Sequence, residues 1–293
     1  MRYGLNLNNI HNQLKMRMIE QIDTDETLLI KPLDITWVDS HCHLNLINLS
    51  SYEQDARKLI QSAKAQQVKH MICVGVDVHT TPSVLEFAEK FDCVYASVGI
   101  HPSDVSDAEF HQAWFQKNTS HKKVVAIGET GLDYHYPNID KEIQQTFFKK
   151  QIEWAKTVKK PLIIHSRDAK EDTLNILKET EAGKIGGVLH CFTGDIDMAE
   201  KAIEMGFYIG VSGIVTFKTA HSLQTVVKQL PLERLLLETD SPWLTPTPYR
   251  GKPNTPAYIP LIGKAVAMLK NLTIDTVAKQ TTDNFFNLFD CHH

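Results

Sequence analysis

From position 35 onward, the chain alternates between short apolar runs rich in β-branched residues and longer amphipathic stretches. Eight of the apolar runs have the length and composition of buried β-strands. We therefore predict eight strands, each followed by a segment that can cover the sheet. The runs begin at Ile35, His70, Cys93, Lys123, Pro161, Gly186, Phe207 and Arg234.

The stretches between these runs carry apolar residues at helical spacing. We predict one helix over residues 53–66 and a second that begins after the N-cap Thr81, with Pro82 at its first position. A third ends before the C′ residue Gly206, and a fourth begins after the N-cap Thr273. Strands that alternate with helices predict a parallel sheet covered on both faces. Roughly eight such units match a closed TIM-type (β/α)8 barrel. A doubly wound open sheet is the alternative, but no G-x-G-x-x-G follows the first run.

Residues 1–35 lie outside this alternation. We predict that they form an N-terminal extension, either a frayed tail or a surface helix, and that residues 36–293 form one barrel domain. The N-terminus has no uninterrupted apolar segment of the kind found in signal peptides, and no run reaches transmembrane length. We therefore expect a soluble, cytoplasmic protein without a membrane partner, and a monomer.

Composition changes this picture little. Hydrophobic residues make up 42% of the chain and charged residues 23%, which is ordinary for a globular protein. The net charge of −4 argues against a broad basic surface, although a small basic patch is compatible with it. The five cysteines show no C-x-x-C pair, which favours reduced, buried thiols. Cys42 and Cys191 adjoin candidate ligands, but strand alternation points both toward core packing.

The ends of the predicted strands carry an unusual set of polar residues. In parallel barrels, catalytic groups stand at the C-terminal ends of the strands. Each residue alone is more readily explained as a hydrogen-bonded structural residue. Together they favour divalent cations, because imidazole and carboxylate groups suit Zn²⁺, Mn²⁺, Fe²⁺ or Ni²⁺, and carboxylate-rich subsites accept Mg²⁺. The residues are His41, His43, His101, Glu129, His165, His190 and Asp240.

Four imidazoles and two carboxylates already make six ligands, which are too many for one catalytic ion with an open position. The number favours two divalent ions about 3.5–4 Å apart, and such a pair requires a bridging carboxylate. Glu129 is the best candidate for the bridge, because its strand lies between the two groups of histidines. On this reasoning His41 and His43 are metal ligands.

Six ordered motifs then identify a family. They read "DSHCHLN", "VGIHPSD", "IGETGLDYH", "PLIIHSRDA", "LHCFTGD" and "LLETDSPWLTP", the last followed by "YRGKPNTPAYI". On these motifs the chain from about residue 38 to 289 resembles the TatD family of metal-dependent deoxyribonucleases. The resemblance implies metal ligands at His41, His43, Glu129, His165, His190 and Asp240.

The resemblance also implies a bridging role for Glu129 and a two-ion site for Mg²⁺, Mn²⁺ or Zn²⁺. The implied activity is hydrolysis of DNA, often 3′→5′ from single-stranded ends. Two positions depart from the family pattern: Asn45 replaces the usual aspartate, and Thr130 replaces an isoleucine. Neither change removes a ligand, but the lost charge at Asn45 is expected to weaken ligand orientation.

Roles for individual residues follow as hypotheses. Asp240 is the expected general base, and Glu129 acts with it as the bridging carboxylate. His101, Arg167, Arg250 and Lys252 are expected to contact substrate, although structural support is an equal reading for His101. Four aromatic residues are open to either base stacking or loop packing: Tyr134, Phe192, Trp243 and Tyr249.

Two competing functions remain at this point. The same barrel can support a metal-dependent amidohydrolase or an aminoacyl-tRNA deacylase, because fold alone does not fix the chemistry. Many amidohydrolases bridge their ions with a carboxylated lysine after strand four, whereas this chain has Glu129 there. A degenerate barrel that serves as a scaffold is the other alternative, and the intact ligand set argues against it.

Overall fold

A computed structural model describes residues 35–105, 112–135 and 140–291 of the chain. Eight strands form one sheet in sequence order, and each pairs in parallel with the next. The predicted TIM-type (β/α)8 fold is confirmed. The strands are β1 (Trp37–Cys42), β2 (Val68–Cys73), β3 (Val94–Val98), β4 (Val124–Asp133), β5 (Leu162–Arg167), β6 (Gly187–Leu189), β7 (Tyr208–Val211) and β8 (Leu235–Leu237).

Helices follow the strands and cover the outside of the sheet. The described residues form α1 (Ala56–Ala65), α2 (Thr81–Lys90), α3 (Gln112–Thr119), α4 (Lys141–Val158), α5 (Lys170–Glu179), α6 (Ile196–Glu204), α7 (His221–Gln229), α8 (Ile259–Lys270) and α9 (Ile274–Phe289). No helix of the described ranges is both long enough and apolar enough to cross a membrane. The extension predicted for residues 1–35 falls, apart from Ile35, outside the described residues.

The predicted helix ends are right in two cases and displaced in one. Thr273 caps α9, since its hydroxyl accepts a hydrogen bond from the Thr276 N–H at 3.1 Å. Gly206 follows α6 with a φ of +98°, as expected of a C′ glycine. The prediction of Thr81 as an N-cap is wrong by one residue, because α2 begins at Thr81 and its cap position is Thr80. Asp77 holds this turn by accepting a hydrogen bond from the Thr80 N–H at 2.7 Å.

Backbone hydrogen bonds link the last strand to the first just beyond their carboxyl ends. The Asp240 N–H donates to the His41 carbonyl at 2.9 Å, and the His43 N–H donates to the Ser241 carbonyl at 2.8 Å. These bonds bring the loop after β8 against β1. They also fix Asp240 next to two histidines that lie about 200 positions earlier in the chain.

The space inside the barrel is filled by apolar side chains. All eight strands contribute to one cluster, to which α9 adds Phe285 and Phe289. Packing of this kind leaves no pore, so polar groups are accommodated at the carboxyl ends of the strands. The strand residues of the cluster are Val38, Ile72, Tyr95, Val125, Ala126, Ile163, Val188, the partly buried Tyr208, and Leu236.

Glu129 and His165 lie within their strands, which corrects the prediction that they end them. β4 continues to Asp133 because its second half keeps pairing with β5 after a register shift between Ile127 and Thr130. Gly131 permits this close approach: its φ is +133°, and a Cβ there would clash with the His165 carbonyl. Glu129 therefore projects from a rigid strand rather than from a loop.

Candidate metal centre

Three histidines converge on one oxygen of the Glu129 carboxylate. Glu129 Oε1 lies 2.7 Å from His190 Nε2, 3.1 Å from His165 Nδ1 and 3.4 Å from His101 Nε2. Glu129 and His190 are buried, and the other two side chains are largely buried. The carboxyl end of β4 thus faces the ends of β3, β5 and β6 at this oxygen.

The second oxygen of Glu129 faces a different pair of imidazoles. Glu129 Oε2 lies 3.4 Å from His41 Nε2 and 4.0 Å from His43 Nε2. Asp240 closes this side, with its Oδ1 atom 3.5 Å from His41 Nε2 and 3.4 Å from His43 Nε2. All six predicted ligands are therefore gathered around Glu129, and His101, which was predicted to contact substrate, lies among them.

The donor atoms of this cluster suit a metal ion. Nε2 of His41 lies 3.1 Å from Nε2 of His43, so two nitrogen atoms that are both metal donors face each other at contact distance. A cation between such nitrogens and the carboxylates would interact favourably with all of them. Three groups have donor atoms within 4.8 Å of one another: His41 with His43 and Asp240, His101 with Glu129 and His165, and His41 with His190 and Glu238.

The electrostatics of the Glu129 side are those of a buried anion surrounded by imidazoles. Burial alone would raise the pKa of Glu129, but the charges of His190 and His101 and the hydrogen bonds from His101 and His165 hold it well below its usual range. Burial opposes protonation of His190, yet Glu129 outweighs it and raises the pKa of His190 to about 9. The carboxylate is thus ionised and available as a ligand.

The other side of the cluster favours neutral histidine and ionised aspartate. Burial, together with the charge of His190, lowers the pKa of His41 to about 4. Burial would raise the pKa of Asp240, but the hydrogen bond from His43 and the charges of the neighbouring histidines lower it instead. A neutral imidazole and an ionised carboxylate are the forms that bind metal.

The sequence profile described as TatD related DNase matches residues 38–290. The chain belongs to the TatD-related DNase family. It is 45% identical over 252 residues to YabD of Bacillus subtilis, covering 86% of this chain and 98% of that one, and 41% identical over 252 residues to YcfH of Escherichia coli, covering 86% and 95%. Both relatives are named as uncharacterized metal-dependent hydrolases. The protein is accordingly a metal-dependent hydrolase.

The fold of solved TatD-type structures agrees with this membership. YjjV, a TatD homologue from Escherichia coli K12, superposes with a TM-score of 0.81 at 30% identity, over 87% of this chain and 98% of that one. A TatD family hydrolase from Entamoeba histolytica superposes with a TM-score of 0.75 at 23% identity, over 87% and 98%, and shows the shared fold.

Two buried carboxylates that stand behind the histidines of this TatD-type centre were missed from the sequence. Asp133 Oδ2 lies 3.0 Å from His165 Nε2, the ring nitrogen that does not face Glu129. Glu238 Oε1 lies 3.7 Å from His190 Nδ1, and burial raises the pKa of Glu238 to about 8. A carboxylate at hydrogen-bond distance from a ring nitrogen, as Asp133 is from His165, orients a metal-binding imidazole, whereas Glu238 only lies near His190. Their signal was a charged residue inside an apolar strand run, in "GETGLD" and "LLLETD".

The predicted substrate residues occupy two other places. Arg167 lines a cavity of about 780 Å³ that His190 also lines. Arg250 lies over the ring of Phe217, with its guanidinium carbon 3.9 Å from the ring centroid. Lys252 is held less closely, with Nζ 5.4 Å from the centroid of the Tyr249 ring.

The two departures from the TatD pattern lie outside the donor groups of the described residues. The Asn45 amide donates to Ser83 Oγ at 3.1 Å and accepts from Cys73 Sγ at 3.6 Å. Thr130 is buried in β4, next to Glu129. Cys42 also packs as predicted, with its thiol donating to the Ile72 carbonyl at 3.2 Å.

Proposed function

We propose that this TatD-family protein is a deoxyribonuclease that hydrolyses DNA phosphodiester bonds, acting 3′→5′ on single-stranded ends. One observation carries the proposal: the two oxygens of Glu129 face two different groups of imidazoles, with Oε1 toward His165 and His190 and Oε2 toward His41. A carboxylate divided in this way suits the bridge of a two-ion centre, which is the arrangement typical of phosphodiester hydrolysis.

The residues of this chain fit such a centre. Divalent cations, when bound, would polarise the phosphodiester and lower the pKa of a water molecule. Three of the six candidate ligands project from strands, and the other three follow a strand end within three residues. They would therefore hold the ions in a fixed geometry. His101 Nε2, at 3.4 Å from Glu129 Oε1, adds a donor to the same carboxylate oxygen. Imidazole with carboxylate ligation suits Zn²⁺ or Mn²⁺, and Mg²⁺ at the carboxylate-rich side.

Asp240 is the proposed general base. Its carboxylate is ionised and keeps 15% of its side-chain surface exposed, so it is open to a proton from the attacking water. Its backbone N–H is fixed to the His41 carbonyl, so the side chain approaches the centre from a constant direction. Glu129 is nearly enclosed by the histidines, which suits it to ligation rather than to proton transfer.

The surroundings of the centre leave room for a nucleic acid strand. The cavity next to His190 is lined by Arg167, Lys141 and Ser166, which can contact phosphate oxygens, and also by the carboxylates of Asp168, Glu171, Asp172 and Asp195. We assign Arg250 and Lys252 to phosphate contacts in the same proposal. A few cations within a chain of net charge −4 suit a short strand end rather than a long duplex.

The test is a digestion ladder on 5′-end-labelled single-stranded DNA, with Mg²⁺, Mn²⁺ or Zn²⁺ added to chelator-treated protein. Progressive shortening from the 3′ end, dependent on metal and absent in Glu129→Gln, is the expected result. D-aminoacyl-tRNA serves as the parallel substrate. Metal-dependent deacylation together with intact DNA would overturn the proposal in favour of an ester or amide hydrolase.

A further inference from the structure

An exposed tryptophan stands next to the metal centre. Trp243, three residues after Asp240, keeps 51% of its surface exposed. The centroid of its ring lies 5.1 Å from that of His43, with the two planes at 68°. A large apolar side chain left open to water at this point has a surface available for binding.

The backbone that carries Trp243 is held in place, so its exposure is a fixed feature. The Trp243 N–H donates to the Asp240 carbonyl at 3.0 Å. Asn254, which is buried, donates its side-chain amide to the Trp243 carbonyl and to the Thr239 carbonyl, and its own N–H donates to the Pro242 carbonyl at 3.1 Å. The backbone at Trp243 is therefore fixed before any ligand arrives, so that binding has only the side-chain rotation to order, which lowers its entropic cost.

The other aromatic candidates are already engaged by neighbouring side chains, although Tyr249 keeps 37% of its surface exposed. Phe192 is only 5% exposed. The Tyr134 hydroxyl donates to Asp172 at 2.7 Å, and Lys141 lies 4.3 Å from the centroid of its ring. Tyr249 stacks on a neighbouring tyrosine with centroids 4.8 Å apart and planes at 9°. Of the four aromatic residues, Trp243 is thus the one whose ring combines proximity to a candidate ligand with an open surface.

The two sides of the centre differ in chemistry. The indole of Trp243 adjoins His43 on the β1–β8 side, whereas the cavity with Arg167 and Lys141 adjoins His190 on the β4–β6 side. A phosphodiester bound between them would place a base on the aromatic side and backbone phosphates on the polar side. A nucleobase is a flat, apolar group of the right kind for the indole.

We propose that Trp243 is the stacking platform for the base of a nucleotide joined to the scissile phosphate. This rests on the deoxyribonuclease function proposed above. Stacking accepts any base, because every base has a π-face, so the contact gives affinity without sequence preference. A paired base in a duplex is already stacked on its neighbours, so the platform favours single-stranded ends.

The first test compares Trp243→Ala and Trp243→Phe with the wild type on two single-stranded oligonucleotides. One has normal bases, and the other has abasic sites at its two 3′-terminal nucleotides. We expect Trp243→Ala to raise KM about 5- to 100-fold on the normal strand and to leave KM unchanged on the abasic strand. Trp243→Phe should restore most of the affinity, because a phenyl ring also stacks. Met268→Ala, which truncates an exposed side chain on α8, is the matched control.

The second test measures binding without turnover, using a phosphorothioate oligonucleotide that resists hydrolysis. A stacked base quenches indole fluorescence. Of the other three tryptophans, Trp37 and Trp154 are buried, and Trp114 is partly buried and packs against the core next to Phe115, so quenching should be lost in Trp243→Phe. Metal content is measured for every variant. If both variants lose metal, the wild-type titration decides: quenching supports the platform, and its absence overturns it.

The outcomes separate the platform from the function on which it rests. If the wild-type enzyme degrades DNA and Trp243→Ala keeps the wild-type KM, the platform is overturned and the nuclease function stands. The same conclusion follows if Trp243→Ala loses affinity equally for the normal and the abasic oligonucleotide. A wild-type protein that leaves DNA intact under every metal overturns the function, and the platform is overturned with it.

Discussion

Asp133 Oδ2 lies 3.0 Å from His165 Nε2, and the opposite ring nitrogen of His165 lies 3.1 Å from Glu129 Oε1. The two carboxylates therefore hold the imidazole between them. If Asp133 accepts the Nε2 proton, Nδ1 is left with its lone pair toward the centre. The Asp133 carboxylate is in turn fixed by the His135 N–H, which donates to its other oxygen at 2.9 Å.

Asp133→Asn should weaken metal binding while preserving the fold. An amide has the same shape but no charge, and it no longer secures the tautomer that leaves Nδ1 free. Loss of such a contact lowers metal affinity by about 10- to 100-fold. The measurement is calorimetric titration of the chelator-treated protein with Zn²⁺ or Mn²⁺. Asp92→Asn, an exposed change before β3, is the control, and equal affinities in both variants would contradict the role of Asp133.

Glu129→Gln should abolish both metal binding and turnover. Glu129 faces both imidazole groups, and an amide would put a donor where a metal ligand is needed. We expect metal content near zero by elemental analysis and no turnover above that of the metal-free wild type, because the metal-activated water is lost. Glu89→Gln, which changes an exposed carboxylate on α2, should behave as wild type. Full turnover with full metal content in Glu129→Gln would refute the two-ion scheme.

Chelation should lower the melting temperature. A metal present at 100 times its Kd stabilises the folded state by about 2.7 kcal/mol, provided that the unfolded chain does not bind it. For a domain of this size each kcal/mol shifts Tm by roughly 2–4 °C, so we expect a shift of about 5–10 °C. Differential scanning calorimetry with and without chelator measures it. The shift should vanish in Glu129→Gln, and an identical Tm for treated and untreated wild type would contradict a bound ion.

Arg250→Ala should raise KM for DNA and leave metal affinity unchanged. Arg250 is exposed, its guanidinium rests on Phe217, and it is not one of the six candidate ligands. If Arg250 contacts one phosphate, the slope of log K against log salt should fall by about 1. The measurement is DNA binding at several salt concentrations, with Arg57→Ala on α1 as the control. An unchanged KM and slope would remove Arg250 from the substrate site.

The fold, and the meeting of the six candidate ligands at one end of the barrel, could be predicted from the sequence because both depend on patterns within single strands. Eight apolar runs defined the barrel, and the residues after them, such as His41 and His190, then had to meet at its carboxyl end. The position of Glu129 within β4 was missed, because that strand continues through a register shift that its own residues do not reveal.

Contacts between side chains on different strands could not be predicted from the sequence. Glu238 lies behind His190 only because β6, β7 and β8 pair in a particular register, and nothing within "LLLETD" states that register. The exposure of Trp243 was undecided for a similar reason. Its loop is fixed by Asn254, and the packing that buries Phe192 but not Trp243 comes from residues distant in the sequence.

Gly210→Ala tests whether the place of Glu238 behind His190 matters. A Cβ at position 210 would lie 2.5 Å from Glu238 Oε2 and 3.0 Å from the Cα of His190, so one of them must move. Overpacking of this kind costs about 1–3 kcal/mol in the free energy of unfolding. Movement of His190 would also lower metal affinity, which a purely remote destabilisation would not do. Urea denaturation and metal titration measure the two effects, with the exposed change Ser222→Ala as the control.

A second substitution tests whether crowding against Glu238 is the cause of the lower stability expected for Gly210→Ala. Glu238→Asp shortens the side chain by one methylene, so combining it with Gly210→Ala should relieve part of the clash. The double variant should then be more stable than the sum of the two single changes implies, because residues in contact are not additive. If the two changes in the free energy of unfolding were strictly additive, β7 would tolerate the methyl group without displacing Glu238. A Gly210→Ala protein with wild-type stability and metal affinity would show the same.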